Sequence, residues 1–156
     1  GKTEKVCYNN RMIDFPQKLF GEIILFIAKF DCFKKWTISD INRLFIPPIK
    51  NKQFKIWRNT NNKIIGFTTW AFFSKEVSEG YISGKRKIRP EDWDSGSILW
   101  IIDFVSTSKD VKEMILYLHN KFPNRQAYHM RVKTEKNYSR RLKGKYGKPI
   151  KKSICG

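Results

Sequence analysis

Cysteine and histidine are the scarce residues of this chain. Among its 156 residues there are three cysteines (Cys7, Cys32, Cys155) and two histidines (His119, His129). An odd, widely spaced trio of cysteines with no CxxC pair argues against a disulfide framework. It makes no zinc-type pattern with the histidines either, so no metal is expected, and a reduced bacterial cytoplasm is the simpler setting. Long apolar runs are missing too. Ile23-Ile24-Leu25-Phe26-Ile27-Ala28 falls far short of the ~20 residues of a spanning helix, so no stable membrane insertion is expected. The polar N-terminus has no small-residue cleavage site after its apolar segment, which argues against a secretory signal. Acids are few: 14 against 32 Lys and Arg, a formal charge of +18. Such an excess points to an acidic partner: nucleic acid, anionic membrane or acidic protein. An AT-rich coding bias toward Lys, Asn, Ile and Phe would produce part of it with no binding role.

What is present suffices for one folded domain. The chain is 40% hydrophobic and 15% aromatic, and its length permits one hydrophobic core. Residues 1–15 read as a flexible polar arm and 16–156 as the domain. The charge is uneven. Residues 131–152 hold ten Lys and Arg against Glu135 alone, and Lys85-Arg86-Lys87-Ile88-Arg89 forms a second cluster.

Apolar residues at helical spacing from Leu19 to Phe30 predict a helix opened by Pro16. Ser39-Asp40 suits the cap of a short helix through Phe45, with Pro47-Pro48 as its stop. Residues 53–58 and 64–73 alternate like strands around Asn59-Thr60-Asn61-Asn62, giving a hairpin. Residues 74–96 show little periodicity and read as loop. The run Ile98-Leu99-Trp100-Ile101-Ile102 predicts a strand buried on both faces and ending at Asp103. Thr107 or Ser108 is the expected cap of a helix to about Lys121, and residues 126–132 form a last strand. The whole reads as one α/β (α+β) domain, a mixed sheet flanked by helices. A carboxylate closing a central strand is costly to bury unless it is paired, and open sheets place reactive groups at strand ends. Asp103 therefore stands either as a catalytic group or as a cap.

One segment is more specific. Glu91-Asp92-Trp93-Asp94-Ser95-Gly96, followed by Trp100-Ile101-Ile102-Asp103-Phe104, resembles the signature of the toxin-activating lysine-acyltransferases, an Asp-Trp-x-x-Gly and then Trp-x-Ile-Asp with an aromatic. Leu19-Phe20-Gly21 through Lys34-Lys35-Trp36, Thr69-Trp70-Ala71, Lys121-Phe122-Pro123, Arg131-Val132 and Tyr146-Gly147 match that family's pattern in order, over most of residues 18–150. The resemblance implies a fold like the GNAT acyltransferases and transfer of a fatty acyl chain from acyl carrier protein to an internal lysine of a protoxin. It also implies a cytoplasmic, often dimeric protein. Of the family's two catalytic residues, the Asp falls on Asp103. The His falls on Phe33.

Phe33 cannot serve as a base. A free lysine, with a pKa of about 10.4, is almost wholly protonated at neutral pH, so something must take the proton. Three replacements suggest themselves: His129 from the last strand, Asp103 alone with its pKa raised by burial, or Cys32 as a nucleophile carrying the acyl group as a thioester. The bland readings are a packed Cys32 and a structural His129. Trp100, Arg131, Lys85 and Arg86 are the substrate-binding candidates, the basic clusters suiting an acidic carrier protein. No cofactor is expected beyond the acyl-carrier donor. The alternatives are a non-catalytic relative that binds carrier or toxin, and a basic nucleic-acid-binding module, whose affinity would fall steeply with salt.

Overall fold

The computed structural model describes residues 6–8, 11–13 and 15–130. Near the start, strands β1 (Val6–Tyr8) and β2 (Arg11–Ile13) pair antiparallel as a small separate ribbon within the expected arm. Helix α1 (Gln17–Ile27) follows Pro16 as predicted and buries Ile23, Phe26 and Ile27. A 3₁₀ turn over Asp31–Phe33 ends this segment.

Helix α2 (Ile38–Leu44) is capped two residues earlier than expected. Thr37 Oγ1 accepts the Asp40 N–H at 3.1 Å while the Asp40 carboxylate accepts the Thr37 N–H at 2.8 Å. This reciprocal box satisfies two orphan donors, which Ser39 alone would not. Pro47-Pro48 does not stop a helix but opens one, α3 (Ile46–Lys50). In a first turn the missing N–H has no partner to lose.

The hairpin forms as expected from β3 (Phe54–Arg58) and β4 (Ile64–Phe73). The stretch read as loop contains helix α4 (Lys75–Ser83). Ser74 caps it by accepting the Val77 N–H, and Gly84 ends it at φ 72°, a conformation cheap only for glycine. A second 3₁₀ turn spans Pro90–Trp93. Strand β5 (Ile98–Ser106) then runs three residues beyond Asp103, so the carboxylate lies within the strand and does not close it. Ser106 and Ser108 accept the N–H groups of Ser108 and Asp110. Those turns delay the next helix, α5 (Lys112–Lys121), past both expected caps. Strand β6 (Tyr128–His129) completes the sheet.

The sheet order is β3-β4-β5-β6, the first three antiparallel and β6 parallel to β5 through the α5 crossover. One face carries α1 to α4 over two clusters. The first joins Ile23, Phe26, Phe30, Phe33, Phe45, Phe67 and Val105. The second joins Leu44, Phe73, Tyr81, Trp93 and Trp100. The other face packs Trp70, Leu99 and Ile101 beneath Leu118 and Phe122 of α5 and its end. This four-stranded mixed sheet between helices is a single GNAT-like α/β domain.

Candidate active site

Asp103 sits at a break in the β4–β5 ladder. Thr69 pairs with Asp103 but Trp70 pairs with Ile101, so Ile102 is an extra residue in β5. Such a bulge re-aims the side chains that follow it. Ile101 packs under α5, whereas Asp103 points to the opposite face, toward Thr69 and Tyr81. Its Oδ2 accepts the Thr69 hydroxyl proton at 2.7 Å, and Thr69 Oγ1 also accepts the Asp103 N–H at 3.1 Å. The neighbouring Thr68 hydroxyl donates to the Asp103 carbonyl at 2.7 Å. Two threonines thus clamp the bulge from β4.

The Asp103 residue is 4% exposed. Burial pushes its carboxyl up to about 7, with the Thr69 hydrogen bond pulling weakly the other way. Among the described residues Oδ1 accepts no hydrogen bond. A carboxyl with one oxygen anchored, one open and a pKa near neutrality is suited to move a proton. The buried Tyr81 of α4 faces it. Its hydroxyl is held well above the ordinary tyrosine range, first by burial and then by the Asp103 charge, with Arg43 opposing.

Phe33 lies on this same sheet face. Its ring meets Trp36 at 5.0 Å and Phe45 at 5.8 Å, and Phe45 meets Phe67 at 5.8 Å. The position that the resemblance assigns to an imidazole is thus part of an aromatic wall, 7% exposed.

The other candidates do not gather around Asp103. His129, in β6, is paired with Ile101 and aligned with the α5 face, so the sheet lies between it and Asp103. Cys32 is half-buried in the turn beside Phe33, and its sulfur is in a disulfide, against the expectation of reduced cysteines drawn from their odd number and wide spacing. A thioester route there would first need that bond reduced. Trp100 does share the Asp103 face: its Nε1–H donates to Ser78 Oγ at 2.9 Å and its ring packs against Tyr81 and stacks on Tyr128. Lys85 is exposed beside α4. Arg86 instead grips the buried Asp92 with two hydrogen bonds, at 2.6 and 3.3 Å. Arg131, Tyr146-Gly147 and the 131–152 basic run lie outside the described residues. Among the described residues no group of three potential metal ligands is present.

The Asp-Trp-x-x-Gly stretch is a brace. Asp92 also accepts the Arg89 N–H, the Trp93 indole donates to the Arg43 carbonyl, and the buried Gln53 amide donates to the Trp93 carbonyl. Gly96 approaches β4 so closely that a Cβ would lie 2.6 Å from the Phe73 carbonyl oxygen and from Ser74 backbone atoms. Tyr81 and Thr69 were not singled out by sequence reasoning. Tyr81 fell in the stretch read as loop. Thr69 was visible only as the first residue of Thr69-Trp70-Ala71.

Fold and site together describe an acyltransferase-type α/β domain with a lone carboxyl at its centre. Residues 15–145 match the RTX toxin acyltransferase family, and the chain belongs to that family. It is 30% identical over 125 residues to a leukotoxin-activating lysine-acyltransferase of a Pasteurella haemolytica-like species, covering 76% of this chain and 72% of that protein. It is 25% identical over 120 residues to a protein-lysine myristoyltransferase of Escherichia coli, covering 77% and 68%. A lysine-acyltransferase of Vibrio cholerae is 23% identical over 99 residues, covering 64% and 65%. The chain thus spans about two thirds of the length of the latter two.

Proposed function

We propose that this chain is a protein lysine fatty-acyltransferase that takes its acyl group from acyl carrier protein and delivers it to an internal lysine of a protoxin or similar bacterial polypeptide in the cytoplasm. Asp103 is its base. The lysine amine attacks the thioester carbonyl, a C–N bond forms and the C–S bond breaks. Asp103 accepts the amine's proton, and that proton leaves with the departing thiolate. The observation that carries this reading is the Asp103 carboxyl, buried at the β5 bulge, raised to about 7 and open at Oδ1. Family membership supports the reaction class. The opposed placement of His129 favours Asp103 over the imidazole. Trp100 and Phe45 are fully buried core residues on this face, and Trp36 alone of the aromatic wall is partly exposed.

The test is intact-mass analysis of a candidate acceptor incubated with acyl-loaded carrier protein, myristoyl being the first donor to try. Mass gain with the wild type and its loss in Asp103→Asn are expected. Phe33 favours a second reading, a relative that binds carrier or acceptor without turnover. No mass gain with the wild type, beside a gain in Phe33→His, would establish that reading instead.

A further inference from the structure

The sheet face opposite Asp103 carries three cations seated on aromatic rings. Lys55 Nζ of β3 lies 5.2 Å from the Tyr117 ring centre, Lys121 Nζ lies 5.1 Å from Trp70, and the Arg125 guanidinium lies 5.0 Å from Phe72. The rings are themselves linked: Tyr117 meets Trp70 at 6.5 Å, Trp70 meets Phe122 at 5.5 Å and Phe122 meets Phe72 at 6.2 Å. No ion pair among the described residues involves any of the three cations. By contrast Arg43, Arg58 and Arg86 are each tied to a carboxylate.

The row has a direction. Lys55 is level with Thr68, which is level with Phe104 of β5. At the other end Arg125 donates to the Ser97 carbonyl, just before β5. It therefore runs along β5 for roughly 20 Å at about 3.3 Å per residue. An α-helix of about four turns has that length. Cations held over rings keep their charge outward while losing rotamer freedom beforehand, which favours docking of a rigid acidic surface.

We infer that the Lys55-Lys121-Arg125 row is the docking surface for the donor acyl carrier protein, gripping an acidic helix of the carrier. This rests on the acyl-carrier reading above, and it relocates the contact from the cluster at Lys85-Arg86, where Arg86 is committed to Asp92. The sheet and the α5 layer lie between a carrier held there and Asp103, so its flexible prosthetic arm has to pass round the sheet to reach the reacting face.

Binding of acyl-loaded carrier protein to the full chain would be measured directly by titration calorimetry, with no turnover required, so an inactive chain still gives an answer. The Lys55→Gln/Lys121→Gln/Arg125→Gln variant is compared with Lys29→Gln/Lys63→Gln/Lys109→Gln, each lowering the formal charge from +18 to +15. The row variant is expected to weaken binding about tenfold or more and the control by under about threefold. Carbodiimide cross-linking of the wild type, which needs no variant to fold, is expected to join carrier carboxylates to Lys55 and Lys121. Equal losses in the two variants, cross-links at Lys85 or Lys87 instead, or weakened binding of the acceptor but not of the carrier would each overturn the assignment.

Discussion

At the scale of single residues the proposed chemistry turns on Asp103 and Phe33. A base raised to about 7 by burial must be deprotonated to act, so kcat/KM should rise with pH through an apparent pKa near that value and then level. Replacing it with Asn keeps an oxygen that can accept from Thr69 but removes the proton acceptor, with an expected loss of about 10²–10⁴-fold in rate. A pH profile unchanged in Thr69→Val would show that the clamp does not position the carboxyl. The hydroxyl lowers the pKa of Asp103, so its loss should shift the profile to higher pH. Phe33→His puts an imidazole on the Asp103 face. It should raise transfer activity while lowering the denaturation midpoint, because a polar ring replaces one packed against Trp36 and Phe45.

At the scale of elements, the bulge and the Asp92-to-Gly96 brace hold the site in place. Gly96→Ala should cost about 1–3 kcal/mol in urea denaturation, since the added methyl meets β4 backbone and no flexible side chain yields. Arg86→Ala should destabilise more than Arg86→Lys, which retains a charge for the buried Asp92 but loses the two-pronged grip. Strong periodicity made α1, the β3–β4 hairpin and β5 legible in the sequence, and the family pattern made Asp103 and Phe33 legible. Helix α4 was not, because it buries only Val77, Ser78 and Tyr81, too thin an apolar stripe to register as a period. The prolines misled for a local reason: the same residue ends a helix or opens one according to which turn it occupies. Nor could the sequence tell that one extra residue, Ile102, turns Asp103 away from the α5 face, or that His129 aligns with that face.

The whole molecule is a strongly positive body, and its partners should feel that charge beyond contact distance. At physiological ionic strength the field reaches about 8 Å, so raising salt should reduce kcat/KM chiefly through KM for the proposed acyl-carrier donor. A kcat that fell equally would place the salt effect in the chemistry instead.

The buried carboxyl also ties folding to acidity. Its folded pKa stands at about 7 against an ordinary value of 3.8. Between those limits the native protein holds a proton that the unfolded chain has given to solvent. Unfolding near pH 5.5 should therefore release close to one proton through this group, and stability should fall as pH rises across that window before flattening above it. Calorimetric unfolding enthalpies measured in buffers of different ionisation heat would count the proton. In Asp103→Asn the count should drop by that one, and the variant should outlast the wild type at pH 8. If Asp103 is the base proposed above, charging it for catalysis at neutral pH works against the fold, and the protein should be most active where it is less than maximally stable.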